Sequence, residues 1–376
     1  MQPNLSDFSR DRHIGLDLAR SIAIILVLFS HSRFLTDSPE SYLFLTVGAK
    51  FGVELFFVLS GFLIGTVLLR QFEIGLNTKL LSRFWLRRWF RTLPAYFALL
   101  VFIWIFLAEV DYLYFFFLQD LVGGNWDLVP VSWSLVIEEW FYLVFPLLII
   151  LCSFFNKENA FLFSALVLLF VSQLHPINEY FSCSYDTSPL ACFENEIRKS
   201  TFRFGSLGFG AILAYFSFKY DLKKTFQKYF YFLVLLLGLT SILLPVFCYQ
   251  VVSGETDRFF STSLTFALFY PLMGFTAVLL VIFLYSFEFK FPKLLTNLIS
   301  YVSITSYSNY LWHMLLFDYL NSLSEDFFSY HLVTIFFIAS FFAAGVSYLI
   351  LEKPFLRLRD RLVLIFLGRK VVRTAN

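Results

Sequence analysis

Asp17-Leu18-Ala19-Arg20-Ser21-Ile22-Ala23-Ile24-Ile25-Leu26-Val27-Leu28-Phe29-Ser30-His31 places an arginine and a histidine in an otherwise apolar helical run. At roughly 100° per residue, their spacing returns the two side chains to within about 20° of one another, about 16 Å apart along the axis. They share one face, near opposite ends of what reads as a membrane helix. Ionisable residues inside a membrane segment are costly, so they face a bundle interior or a wet cavity and mark a functional path. Two on one face point to a path across the bilayer.

The rest of the chain agrees with a membrane reading. Of 376 residues 59% are hydrophobic, 53 are Phe, and only 15% are charged, whereas soluble domains carry about a quarter charged residues. Apolar stretches of spanning length are expected near 16–35, 50–70, 92–110, 136–155, 158–175, 201–218, 229–251, 264–285, 298–320 and 331–351. The fold expected is an all-α integral membrane bundle of about ten helices. A cytoplasmic segment at 1–15 precedes a transmembrane domain at 16–351, and a basic tail follows at 352–376. Arg10 and Arg12 before a short apolar run imitate a secretory signal, but no small-residue cleavage site follows and the run reads as an uncleaved first span.

Basic residues set the orientation. Arg70, Lys79, Arg83, Arg87, Arg88 and Arg91 fall in one loop region, and later alternate loops carry Lys157, then Lys219 to Lys228, then Lys290 and Lys293. The intervening loops carry mainly Asp and Glu. One assignment satisfies all of them, with both termini cytoplasmic. It puts Arg20 at the cytoplasmic end of the first span and His31 near the outer end. Phe355 to Val372 alternates basic and apolar residues, as an interfacial helix does. The four cysteines have no metal-ligand spacing. Cys183 and Cys192 share a loop assigned to the outside, where a disulfide and two free thiols are both open readings.

Four further stretches carry chemistry. In Arg87-Arg88-Trp89-Phe90-Arg91 the arginines are helical neighbours, serving either as a positive-inside anchor or as a clamp for phosphate oxygens. Ser132-Trp133-Ser134 leads to Glu138-Glu139 and Tyr142. Glu138 is expected at the depth of His31, where a carboxylate orients a histidine base, with Ser134 and Tyr142 one turn to either side. Glu139 reads as a surface loop residue. Glu54 opens the block Gly52–Ile64, in which Ser60 and Gly61 allow close helix approach. His313, in Tyr307-Ser308-Asn309-Tyr310-Leu311-Trp312-His313, is either a second functional group or a structural hydrogen-bond donor. His13, His175 and His331 read as loop residues.

Together these stretches resemble the membrane acyltransferase family 3, of the O-antigen acetylase type. The motifs occur in order: Arg20 and His31 eleven apart, the block at 52–62, Arg88 and Arg91, the block at 132–142, and Tyr307, Tyr310 and His313. The resemblance implies an O-acetyltransferase of the bacterial inner membrane. Its members take acetyl from cytoplasmic acetyl-CoA and deliver it to a lipid-linked or nascent surface glycan, with lipopolysaccharide O-antigen the first expectation and exopolysaccharide or a small-molecule glycoside the alternatives. Many relatives carry an appended hydrolase-like domain that is not visible here, so direct hand-over to the acceptor is expected. His31 and Glu138 are then the catalytic candidates. Arg20, Arg88 and Arg91 are expected on acetyl-CoA, and Glu54, Ser134, Tyr142 and His313 on the acceptor. Membrane lipids are the other expected partners, and neither metal nor nucleic acid is. Base catalysis by His31 and an acyl-histidine route are both open. A proton-coupled transporter remains the competing class, disfavoured by the lack of an inverted repeat, and a membrane scaffold is a third.

Overall fold

The computed structural model describes residues 13–32, 35, 42–75, 78–120, 128–182, 203–253, 262–322 and 329–373. Cys183 and Cys192, and with them the disulfide question, lie outside these. Among the described residues the chain is helical throughout: α1 (Ile14–Ser32), α2 (Tyr42–Gly75), α3 (Thr78–Phe106), α4 (Tyr112–Phe115), α5 (Ser132–Ser153), α6 (Ala160–Ser182), α7 (Gly205–Lys219), α8 (Leu222–Lys228), α9 (Phe230–Ser253), α10 (Thr262–Ser286), α11 (Lys293–Asn321) and α12 (Ser329–Ser347). A π-helical turn at Tyr348–Glu352 then runs into α13 (Lys353–Arg373).

Seven of these segments are long and apolar enough to cross a membrane: 14–32, 47–73, 78–106, 132–153, 230–247, 268–286 and 331–363. Each of the ten expected stretches falls on a helix, but three do not meet that measure. α6 runs 23 residues, of which the described stretch Ala160–Leu174 is a shorter apolar helix, and α7 has 15 residues. α11 is long enough at 29 residues, but it is too polar. Its buried face carries Ser303, Thr305, Ser306, Ser308, Asn309 and His313, a seam that is tolerable in lipid only when it faces the bundle interior.

The bundle is organised around α1 and α2. α2 packs closely on α7 and α1, while α1 reaches α11 and α10. Small residues make the tightest of these approaches. A Cβ at Gly61 would sit 2.0 Å from the Leu207 carbonyl oxygen, and one at Gly210 would sit 2.2 Å from that of Val58. The α2–α7 seam is therefore backbone against backbone. The motif reading of Gly61 as a close-approach residue has this contact as its physical content.

α3 and α5 stand further from α2, and the space between them becomes the site. α5 carries Pro146 within the helix. A proline lacks the N–H that would bond the carbonyl four residues earlier, which is that of Tyr142. Trp85 Nε1 on α3 supplies the missing donor at 2.9 Å. α5 is thereby tied to α3 one turn beyond the acidic pair.

Replacing Gly210 with valine should push α7 off α2 and lower stability by about 1–3 kcal/mol, the usual cost of overpacking. A thermal-unfolding midpoint in detergent for Gly210→Val equal to wild type would contradict a backbone-to-backbone seam.

Candidate active site

Five helices enclose a cavity of about 110 Å³. α1 contributes Arg20, α2 Ser60, α3 Arg88, Arg91 and Thr92, α5 Ser134, Glu138 and Tyr142, and α11 Ser306, Tyr307 and Tyr310. Phe56, Phe57, Leu59 and Leu63 of α2 form an apolar wall. Six residues singled out from the sequence (Arg20, Arg88, Arg91, Ser134, Glu138 and Tyr142) thus meet around one space. Arginines and carboxylate share that space rather than standing at opposite ends of a channel.

Glu138 is the hub of the cavity. Its Oε1 accepts hydrogen bonds from Ser60 Oγ at 2.5 Å and from the Tyr142 hydroxyl. An ionised carboxylate is an acceptor only, and the two hydroxyls serve as its donors. Beside it Glu139 accepts from Thr92 Oγ1 at 2.6 Å, and the Thr92 carbonyl accepts from the Tyr307 hydroxyl at 2.8 Å. Glu139, expected in a surface loop, instead lies within α5 and helps tie α5 to α3 and α11. The i, i+4 spacing of Thr92 from Arg88 was a signal that could have drawn attention to this threonine.

Arg20 pairs with Asp17 at 3.0 Å, one turn earlier in α1. Asp17 also accepts from Ser303 Oγ at 2.8 Å. The ion pair is thus bound to the polar seam of α11 and holds the guanidinium at the cavity wall. Asp17 stood in the opening stretch, and its i, i+3 relation to Arg20 was readable there.

The histidines form a second cluster. The His31 and His313 rings lie 5.0 Å apart between centroids, and His313 lies 5.7 Å from the ring of Tyr310. The Tyr310 hydroxyl is 2.6 Å from Ser134 Oγ, so an aromatic and hydroxyl relay joins the histidines to the cavity. His31 Nδ1 is 2.9 Å from the Val27 carbonyl oxygen. His313 Nδ1 is 2.8 Å from that of Tyr310 and 3.1 Å from that of Asn309. A carbonyl only accepts, so in the neutral rings Nδ1 carries the proton and Nε2 the lone pair. The orienting partner expected from Glu138 is provided by the Val27 carbonyl, while Glu138 holds Ser60 and Tyr142. His313 is fully buried, and its Nε2 has no hydrogen-bond partner.

Glu54, expected to face the acceptor, is instead bound by Arg203 in a buried ion pair. The Arg203 guanidinium lies 3.8 Å from the Tyr270 ring centroid and 4.6 Å from that of Trp133, so two aromatic faces share its charge. This pair fastens α2 to the chain two residues ahead of α7, with α5 and α10 closing over it. The sequence reading did not single out Arg203. Its place at the start of the expected span 201–218 was a signal, since an ionisable residue there is costly, but its partner lies 149 positions away.

The π-helical turn serves the same region. It brings Glu352 into the bundle at 4% exposure, where Ser308 donates to it at 2.5 Å. Such turns recur at functional sites because they re-aim side chains without ending a helix. Among the described residues no group of three or more His, Cys, Asp or Glu is placed to hold a metal.

Residues 13–352 match the family model described as an acyltransferase domain. A protein of Staphylococcus aureus (strain COL), provisionally named an O-acetyltransferase, is 25% identical over 382 residues, covering 93% of this chain and 58% of the relative. The peptidoglycan O-acetyltransferase of Listeria monocytogenes is 32% identical over 167 residues, 37% of this chain and 24% of the relative. A Bacillus subtilis protein provisionally named a peptidoglycan O-acetyltransferase is 29% identical over 178 residues, 41% of this chain and 26% of its own. The chain thus spans little more than half the length of the longest-matching relatives. No solved structure matches it.

The Glu54–Arg203 pair gives a test of what holds the cavity's α2 wall. Arg203→Ala strands a buried carboxylate and should cost about 3–5 kcal/mol, whereas replacing both partners with apolar residues of similar volume should recover much of that loss. Unfolding midpoints of Arg203→Ala and of the Glu54→Leu, Arg203→Met double variant measure the difference. A double variant as unstable as the single would count against the pair acting as a unit.

Proposed function

Since the chain belongs to the acyltransferase family whose domain it matches from residue 13 to 352, we propose that it is a membrane O-acetyltransferase. It draws acetyl from cytoplasmic acetyl-CoA and delivers it to a hydroxyl of a cell-envelope glycan. The observation that carries this reading is the meeting of Arg20, Arg88 and Arg91 with Glu138 and Tyr142 around one cavity, linked through Tyr310 to paired imidazoles. A thioester of an anionic carrier is held by guanidinium groups. A hydroxyl nucleophile needs a base with a free lone pair. Both requirements have candidates within one relay.

In this mechanism His31 Nε2 takes the proton from the acceptor hydroxyl as its oxygen attacks the thioester carbonyl. The new C–O bond forms, the C–S bond breaks, and the imidazolium returns the proton to the departing thiolate. The Val27 carbonyl keeps the proton on Nδ1, so that the ring's lone pair lies on Nε2. His313, with its own open Nε2, takes a second hydrogen bond from the acceptor and fixes which hydroxyl is presented. Glu138 orders Tyr142 and Ser60 and balances the arginine charge, which keeps the donor side from closing on a bare carboxylate.

For the acceptor, the names of the relatives favour peptidoglycan over the O-antigen expected from the sequence. The chemistry required of the site is the same for either glycan: a sugar hydroxyl approaching from the histidine side. The inward placement of both termini and the bacterial cytoplasmic membrane as location belong to this same reading, and the charge distribution of the loops supports them.

His31→Ala should reduce acetyl transfer by about 10²–10⁴-fold, the range typical of a general base, with membrane insertion unchanged. Release of CoA by purified protein in the presence of glycan measures the rate. Ester acetyl content of the peptidoglycan and polysaccharide fractions, read by NMR with and without the gene, identifies the acceptor. Wild-type acetylation by a well-inserted His31→Ala protein would remove the histidine from the chemistry.

A further inference from the structure

A groove of about 680 Å³, some six times the volume of the reaction cavity, opens on the outside of the bundle between α11 and the end of α12. Ile304 of α11, Phe342 and Val346 of α12 and Leu349 of the π-helical turn form its apolar wall. Asp17 of α1 lines it as well, and Lys353 stands in it where α13 begins. Phe342 is 71% exposed and Leu349 57%. Both belong to the segment 331–363, which is long and apolar enough to cross a membrane, so the groove opens toward lipid. Hydrogen bonds hold the two helices at this spacing. The Tyr301 hydroxyl of α11 passes over Gly345, where a Cβ would sit 2.5 Å from it, and donates to the Phe341 carbonyl of α12 at 2.7 Å. Ser308 Oγ lies 2.9 Å from Ser347 Oγ, to which Trp312 Nε1 donates at 3.0 Å. With these contacts in place, α11 and α12 cannot slide together to close the groove.

We propose that this groove binds one membrane phospholipid, with an acyl chain along Ile304, Phe342, Val346 and Leu349 and the phosphate toward Lys353. The wall is continuous with the lipid-facing side of the bundle, so hydrocarbon is the phase that meets it. Membrane helices associate through close packing contacts, and a fixed groove between two of them forfeits those contacts until a chain lies in it. The polar groups of the wall are already satisfied within the protein, as contact with hydrocarbon requires. Thr305 donates to the Tyr301 carbonyl at 2.9 Å, Tyr301 donates to Phe341, and the Asp17 charge is met by Arg20 and Ser303. Lys353 marks the headgroup end, because a lysine lays its stem on apolar surface and keeps its ammonium at the membrane boundary. Arg357, Arg359 and Arg361 follow it in α13, a basic run of the kind that anionic headgroups attract. Asp17 lines the groove while Arg20 lines the reaction cavity, so the bound lipid lies directly behind an arginine of the site.

Native mass spectrometry of the full chain, purified from membranes in mild detergent, tests the site. Wild type should retain one phospholipid per chain after repeated detergent washing. Ile304→Trp and Val346→Trp, which fill the groove from two different helices, should lose that lipid. Leu239→Trp, at a 50% exposed position of α9, should retain it as wild type does. Lys353→Gln should retain less of it than wild type, and equal retention would overturn the placement of the headgroup. Thermal unfolding gives a second reading, because a ligand that binds only the folded state stabilises it. Phosphatidylglycerol added back to delipidated protein should raise the midpoint of wild type and of Leu239→Trp but not that of Ile304→Trp. A wild type that retains only detergent overturns the site, and so does retention of the lipid by both filled variants or its loss from all three tryptophan variants. A lipid-free wild-type dimer that Val346→Trp dissociates would overturn it in favour of a second copy of the chain.

Discussion

A carboxylate among apolar helices must be surrounded by donors, and the bundle around Glu138 is built to that requirement. Ser60 comes from α2 and Tyr142 from α5, while the neighbouring Glu139 is met by Thr92 of α3. Thr92 in turn accepts from Tyr307 of α11. Four helices are therefore held in register by the need to satisfy two adjacent acids. Leaving a buried polar group without a partner costs about 1–3 kcal/mol, and more when it is charged. Such a network is all or nothing, and its loss opens the cavity rather than merely loosening it.

The seam of α11 follows from the same constraint. Its serines, Asn309 and His313 make it too polar to count as an apolar span, yet they are buried. They are compatible with a membrane bundle because they are buried in its interior, where several meet other helices. Ser303 meets Asp17 of α1, and Ser308 meets Glu352 of the π-helical turn. α1, which carries both Arg20 and His31, packs directly on α11. One helix thus supplies one of the cavity's three arginines and one histidine of the imidazole pair, and its seam partner supports both.

How much of this was legible in the sequence depends on the range of the interaction. The helices themselves were readable, because apolar length is a local property. The shared face of Arg20 and His31 was readable from spacing alone. The sequence reading set Arg88 with the donor and Glu138 and Tyr142 with the acceptor, and their meeting around one cavity was not legible in it. What the sequence could not supply were partners chosen by packing. Glu54 looked like an acceptor ligand because nothing nearby indicated Arg203. Glu138 looked like the orienter of His31 because depth along a helix does not say which neighbour a side chain turns toward. The backbone carbonyl of Val27 does that work, and every helix has carbonyls four residues back, so the residue pattern carried no mark of it.

The arginines of α3 were read as one patch, and helical geometry explains why they are two. At about 100° per residue, Arg83 and Arg87 stand about 40° apart, as do Arg88 and Thr92, while Arg87 and Arg88 are about 100° apart. One face of α3 therefore turns toward Arg70 and Gln71 of α2, and the next turns toward Ser60 and Glu138. Arg91 lies about 60° from Arg88 and joins the second face. Arg88 alone is placed to border both.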